Sequence, residues 1–243
     1  MDLLIDIGNT SIKWATHDEG GIGSMGSARH HGALPIDLLA AWDELTGIDQ
    51  VIAARVGPEA VLDAVANVAS ACWQCRIRQV ETAVEAHGVR IAYAEPARLG
   101  VDRFLALIGA RELAGDRPAL IIDAGTAITY DLLDAAGTHL GGLILPGIRL
   151  MRDSLLTGTQ IPRYEPLEAD TSWAADTGEA IAAASIQAPA ALAERLQGRL
   201  YEHAGTAPAV IVTGGDAERL LAAIPFDADH RPDLVLRGLG RFA

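Results

Sequence analysis

Positive charge is scarce in this chain. Lysine and arginine total 19 against 32 aspartates and glutamates, for a formal net charge of −13. The basic residues are scattered and never cluster into a run, which excludes a nucleic-acid partner, because phosphate-backbone binding needs grouped Lys and Arg. Small phosphates are not excluded by the same argument. Long apolar runs are missing as well. Half of the residues are hydrophobic (50%), yet no stretch approaches the roughly 18 uninterrupted apolar residues of a membrane span. The opening "LLIDIG" has no basic region before it and is broken by Asp6, so it reads as a strand of the mature protein and not as a signal peptide. The expected compartment is the cytosol, with no membrane partner.

Cysteine is rare too. Only Cys72 and Cys75 occur, in "ACWQC". A zinc site would need two more ligands at suitable spacing, and there is no second C-x-x-C and no H-x-x-x-H. A thioredoxin-like pair would follow a strand and open a helix. This one follows "GPEAVLDAVANVASA", a helical pattern, so the pair reads as two reduced, partly buried thiols. The seven histidines show no ligand spacing, and "RHH" at 29–31 reads as a solvated turn. The common phosphate loops are absent as well. There is no G-x-x-x-x-G-K-[ST], and "GGIGSMG" lacks the strand-and-helix context of a dinucleotide fingerprint.

What is present is a pattern that occurs twice. A length of 243 residues allows one or two domains at about 150 residues each. The run Leu3 to Ile7 reads as a buried strand, and "SIKWATHD" alternates as a second one. Helical patterns follow over "LPIDLLAAWDELTG", ending at Gly47, and over the stretch before the cysteines, with the strand "QVIAARVG" between them. "VDRFLALIGARELAG" has helical spacing and a stop at Gly115. The opening then returns as "PALIIDAGTAITYDLLDAAGTHLGGLILPG". Asp6 aligns with Asp123 and Gly8 with Gly125. A long Ala-rich helical region, "TSWAADTGEAIAAASIQAPAALAERL", is followed by strand, glycine turn and helix in "PAVIVTGGDAERLLAAI". A repeat of this size indicates a duplicated lobe and not a solenoid of short units. Strands interleaved with helices indicate an α/β fold, with both aspartate hairpins facing a cleft.

A strand that ends on Asp-x-Gly presents a carboxylate and backbone N–H groups at one point. Glycine allows close approach of a ligand, and a turn of amides makes an anion-binding concavity. Asn9, Thr10 and Ser11 add donors, and Lys13 adds a point charge suited to phosphate. Carboxylates tolerate nearby phosphates only with a cation between them, so the motif implies a nucleoside triphosphate with a divalent metal. Asp102 sits at the start of a helix, where an isolated aspartate is ordinarily a first-turn acid favoured by the helix dipole. The fixed fork of Arg103 suits a carboxylate.

Four motifs together, "DIGNTSIK", "GVDR", "DAGTAITYD" and "GGLILPG", resemble the type III pantothenate kinases of the acetate-and-sugar-kinase, heat-shock-chaperone and actin superfamily. D-x-G alone points only to the superfamily, whereas "LGVDR" with "GGLILPG" selects the family. The resemblance spans nearly the whole chain. It implies two duplicated actin-like (ribonuclease H-like) lobes, 1–116 and 117–243, with an ATP cleft between them. The implied reaction is ATP-dependent phosphorylation of the primary hydroxyl of pantothenate, the first step towards coenzyme A.

Carried over by resemblance, Asp6, Ile7, Gly8, Asn9, Thr10, Ser11, Ile12 and Lys13 form the first phosphate loop, and Thr126 is a further ATP contact. Asp123 stands at the position of a monovalent-cation ligand. Gly100, Val101, Asp102 and Arg103 match the pantothenate motif, with Asp102 as the base. Tyr93 and Thr177 match further substrate contacts, and "VTGGD" (213–216) looks like the adenosine-side turn. The implied cofactors are Mg²⁺ with ATP and a monovalent cation, K⁺ or NH₄⁺. The segment 141–159 is implied to lie at a homodimer interface and to complete the neighbouring subunit's site, with Ile148 expected in that apolar contact. Two rival readings are another small-molecule kinase or phosphatase of the superfamily and a non-catalytic nucleotide-gated module. "GVDR" speaks against the second, because a switch has no need of a substrate-side Asp-Arg pair.

Overall fold

The computed structural model describes residues 1–162 and 172–243. Within them the chain forms two compact units, Met1–Leu113 with Asp233–Ala243, and Ala114–Pro232. The first unit runs β1 (Asp2–Ile7), β2 (Ser11–Asp18), β3 (Gly21–Ile22), β4 (Gly26–Arg29), α1 (Ile36–Asp43), β5 (Gln50–Arg55), α2 (Glu59–Val68), β6 (Ile77–Gln79), β7 (Glu85–Ala86), β8 (Val89–Arg90) and α3 (Val101–Ala114). Its sheet has the order β3-β2-β1-β5-β6, with β4 also on β2. β1 is antiparallel to β2 and parallel to β5. A strand paired on both sides and covered on both faces reads as a near-continuous apolar run, which is why "LLIDI" stood out.

Leu3, Ile5 and Ile7 of β1 share one core cluster with Leu38 and Trp42 of α1 and Val61 and Val65 of α2. α1 ends at Asp43, short of Gly47, which adopts φ 69° beyond it. After α2 the chain widens into a π-helical turn, Ala69–Trp73, closed by Gln74 at φ 56°. That turn leaves Cys72 exposed and Cys75 half-buried, both as free thiols. The expectation of two partly buried thiols therefore holds for Cys75 alone. Burial pushes the Cys75 thiol pKa up, which disfavours the reactive thiolate.

The second unit runs β9 (Ala119–Ala124), β10 (Ala127–Leu133), β11 (His139–Pro146), α4 (Ile148–Gly158), α5 (Thr177–Ala204), β12 (Ala209–Thr213), α6 (Ala217–Leu221) and β13 (Asp229–His230). Its sheet order, β11-β10-β9-β12-β13, repeats that of the first. As β1 is to β2 and β5, so β9 is antiparallel to β10 and parallel to β12. Leu120, Ile122, Val210 and Val212 pack against Ala190, Ala193 and Leu196 of α5. Small alanines on the helix let it lie close to the sheet. The buried Tyr130 hydroxyl donates to the carbonyl of Pro189 within α5 at 2.8 Å, and burial raises its pKa. Thr171, the first residue of the Ala-rich helical stretch read from sequence, lies outside the described residues.

Ile148 departs from its expected place. It is 4% exposed and belongs to this unit's core cluster, so it is a packing residue of its own unit. The first turn of α4 points it inward. The apolar side chains left exposed nearby are Leu140, Leu143 and Ile144 of β11 and Leu150 and Leu155 of α4, with Ile144 at 60%. The chain closes with α7 (Leu234–Gly240), which packs against β1 and β2 of the first unit. Among the described residues no helix is long and apolar enough to cross a membrane.

Candidate active site

In the first unit the β1–β2 connection carries the Asp-Ile-Gly-Asn-Thr motif. Because Leu3, Ile5 and Ile7 take the core face, alternation puts Asp6 on the opposite face. Its antiparallel register partner is Lys13, and directly paired residues share a face. Lys13 is the only lysine in the chain, every other basic side chain of that class being arginine. The loop is closed by Gly8 N–H donating to Ser11 O at 2.9 Å, and its tip residues Asn9 and Thr10 are exposed.

Two neighbours brace this loop. Val56 and Gly57, just after β5, both donate their N–H groups to Ile7 O at 3.0 Å. A Cβ on Gly57 would fall on the Gly8 carbonyl, so only glycine permits this closure. The second brace is His30, which sequence reading assigned to a solvated turn. It is 4% exposed, and its Nε2 lies 2.9 Å from Gly8 O. Gly32 N–H points at Nδ1, so Nδ1 accepts and Nε2–H donates to the carbonyl. The His30 backbone N–H also donates to Thr10 O at 3.1 Å. No ligand spacing marks this histidine in the sequence, since its role depends on a contact 22 residues away.

The Gly100–Arg103 motif begins α3. The Asp102 carboxylate Oδ1 accepts from Arg103 N–H at 2.8 Å, and Phe104 N–H donates to Gly100 O at 3.1 Å. A Cβ on Gly100 would stand 2.5 Å from Asp102 Oδ1 and 3.7 Å from Val56 Cγ1. Glycine at position 100 therefore leaves room for the carboxylate to fold over the helix start. It also sets that start against the same turn that braces the β1–β2 loop. Arg103 is 7% exposed. Its Nη1 donates to Tyr93 Oη at 3.2 Å, and its guanidinium carbon lies 5.9 Å from the Tyr93 ring centroid. Hence Tyr93, Gly100, Asp102 and Arg103, drawn from separate motifs, form one group. Val101, in the same motif, is buried.

In the second unit Asp123 occupies the place equivalent to Asp6, with Thr129 as its register partner on β10 and Thr213 on β12. The turn is tighter here, with Gly125 N–H donating to Ala127 O at 3.0 Å. Thr126 is exposed, and its carbonyl accepts from Gly147 N–H at 2.8 Å. A Cβ on Gly214 would stand 2.5 Å from Asp123 Oδ1, so the 213–216 turn lies directly against this carboxylate. Asp216 N–H donates to Ala124 O at 2.8 Å. Thr177 stands on a different element, as the exposed first residue of α5. That helix is capped by Asp176, whose Oδ1 accepts from Gly178 N–H at 2.8 Å. Among the described residues no three His, Cys, Asp or Glu side chains gather to hold a metal.

The whole chain is similar to proteins of one kind. It is 36% identical over 249 residues to the type III pantothenate kinase of Nitrosococcus oceani, covering 100% of this chain and 94% of that one. It is 39% identical over 250 residues to that of Azoarcus sp., with 100% and 90% covered. Among solved structures, a Campylobacter jejuni protein described as a Baf family transcriptional activator aligns with a TM-score of 0.62 at 21% identity, over 98% of this chain and 96% of that one. At that identity the likeness concerns the fold alone, which is the duplicated actin-like α/β fold. A family model described as type III pantothenate kinase matches residues 2–199, a span that holds both aspartate hairpins and the Gly100–Arg103 motif. With the match running through every one of these elements, the chain belongs to the type III pantothenate kinase family.

Proposed function

We propose that this chain carries out the reaction of its family, the ATP-dependent phosphorylation of pantothenate, with the following division of labour. The braced loop from Asp6 to Lys13 and the residue Thr126 bind the ATP phosphates, with Lys13 neutralising developing charge. Mg²⁺ arrives with the nucleotide, as is usual for a metal held by one or two carboxylates and the phosphates themselves. Tyr93 and Thr177 contact pantothenate, and Arg103 takes its carboxylate. Asp102 orients the primary hydroxyl of pantothenate and accepts its proton. The oxygen then bonds to the γ-phosphorus as the bond to the ADP oxygen breaks. Such transition states are loose, so positioning and charge neutralisation carry most of the rate. Asp123 holds a monovalent cation, K⁺ or NH₄⁺, which supplies further positive charge for the phosphates. The compartment we assign is the cytosol, the setting of a biosynthetic kinase supplied with ATP.

The observation that carries this reading is the family match along the chain, joined to the group of Tyr93, Gly100, Asp102 and Arg103 at the start of α3. A coupled assay with purified protein, magnesium, ATP and pantothenate tests it directly. ADP release should depend on pantothenate and rise when potassium replaces sodium. Release that ignores pantothenate would refute the substrate assignment, and equal rates in both salts would refute the cation.

We also propose a homodimer in which each site borrows residues from the partner. Its support is a set of exposed apolar side chains, Leu143 and Ile144 on the two faces of the edge strand β11 and Leu150 and Leu155 on α4. An apolar edge of this kind is costly in water. A twofold pairing would cover it on both chains at once. Because Ile148 is a core residue, the informative substitution is Ile144→Arg. It should leave the thermal midpoint of the isolated unit close to wild type while halving the mass seen by light scattering, and pantothenate turnover should fall with the mass. A wild-type chain that is monomeric and fully active throughout a dilution series would defeat the shared-site reading.

A further inference from the structure

The residue that ends β12, Thr213, is 0% exposed, and among the described residues its hydroxyl has no hydrogen-bond partner. A buried hydroxyl left in that condition costs stability that an apolar side chain would not. The duplication provides an internal control. Thr213 is the parallel register partner of Asp123, as Ala54 is of Asp6. Ala54 is equally buried, so the packing of this position does not require a hydroxyl. On the antiparallel side, Lys13 faces Asp6 where Thr129 faces Asp123. The first aspartate thus sits between an ammonium side chain and a methyl group. The second sits between two hydroxyls.

All three second-unit side chains lie on the same sheet face. Leu120, Ile122, Ile128, Tyr130, Val210 and Val212 take the opposite face, against α5, and alternation assigns Thr129, Asp123 and Thr213 to the other. Gly214, at φ 98°, keeps the space beside Asp123 Oδ1 clear of a Cβ. A carboxylate with threonine hydroxyls on the two neighbouring strands is a donor set of the kind hard cations favour.

We propose that Thr213 Oγ1 is a second oxygen ligand of the monovalent cation, beside the Asp123 carboxylate. This rests on the reading of Asp123 given above.

The test is a thermal-unfolding titration of the full chain with KCl against choline chloride at constant total salt. Magnesium and a non-hydrolysable ATP analogue are held fixed. Wild type should be stabilised by potassium with a saturating midpoint. Thr213→Val, which removes only the hydroxyl, should move that midpoint up by about tenfold or more while being at least as stable as wild type in choline. Thr213→Ser should restore a near-wild-type midpoint. Should the Val variant not fold, Thr213→Ala, the residue of the duplicate position, serves in the same titration. A hydroxyl-free variant with the wild-type potassium midpoint overturns the proposal. If Asp123→Asn has lost the response in that same experiment, the reading of Asp123 stands without Thr213. A wild type that does not distinguish potassium from choline overturns both. An unchanged potassium midpoint with weakened analogue binding assigns the hydroxyl to the nucleotide and also overturns it.

Discussion

Asp102→Asn is expected to fold as the wild type does and to lose about 10²–10⁴ in turnover, the range for removal of a positioned general base. The amide keeps the shape of the side chain and can still accept from Arg103 N–H as Oδ1 does at 2.8 Å. It also still fits over Gly100. What it cannot do is take a proton from the attacking hydroxyl. Because the substitution leaves shape and local hydrogen bonding in place, the Michaelis constants for ATP and pantothenate should move far less than turnover. Steady-state kinetics with a thermal midpoint measured beside it separates the cases. An Asn variant of normal stability with near-wild-type turnover would remove Asp102 from this role. A variant of low stability would point instead to the ordinary first-turn acid of a helix.

The second large effect is expected at Arg103. Its guanidinium is buried, donates to the Tyr93 hydroxyl and lies over the Tyr93 ring. A planar fork held in this way is ready for a carboxylate, and an ammonium cannot reproduce its paired donors or its stacking. Hydrogen bonds to charged groups contribute about 1.5–3 kcal/mol, or roughly 10- to 150-fold in affinity. Arg103→Lys should therefore raise KM for pantothenate by that order and leave KM for ATP near wild type. The alcohol analogue of pantothenate, which lacks the carboxylate, supplies the control. Its kcat/KM should be low with the wild type and change little on substitution. Equal losses for both substrates would mean that Arg103 supports the fold around Tyr93 and does not read the carboxylate.

Much of this molecule is local enough to be read without coordinates. β1 and β2 follow from an apolar run and an alternating one, and β2 spans the eight residues of "SIKWATHD". α3 follows from its spacing and from Gly115 beyond it, at φ 59°. The duplication was visible because both aspartate hairpins keep the same strand, turn and strand, and the two sheets do repeat their order. Other features were hidden because they depend on partners distant in the chain. His30 looks like a turn residue until its ring is seen on Gly8 O. Gly57 looks like an ordinary helix-leading glycine until its Cα is seen against the same carbonyl. Ile148 could have faced either way, because an amphipathic turn does not announce which neighbour will cover it.

By itself the sequence determined the α/β class, the repeated Asp-x-Gly hairpin, the family and the chemistry open to it. Each of these depends on residue type and near-neighbour spacing, which the chain carries along its length. Only the tertiary structure decided that Tyr93 meets Arg103, that Val56 stands between the β1–β2 loop and Gly100, and that α7 packs on β1 and β2. It alone showed Thr213 buried beside Asp123 with its hydroxyl unmatched. The physical reason is that strand pairing and burial join residues far apart in sequence, and whether a polar atom is satisfied depends on what the rest of the chain brings to it.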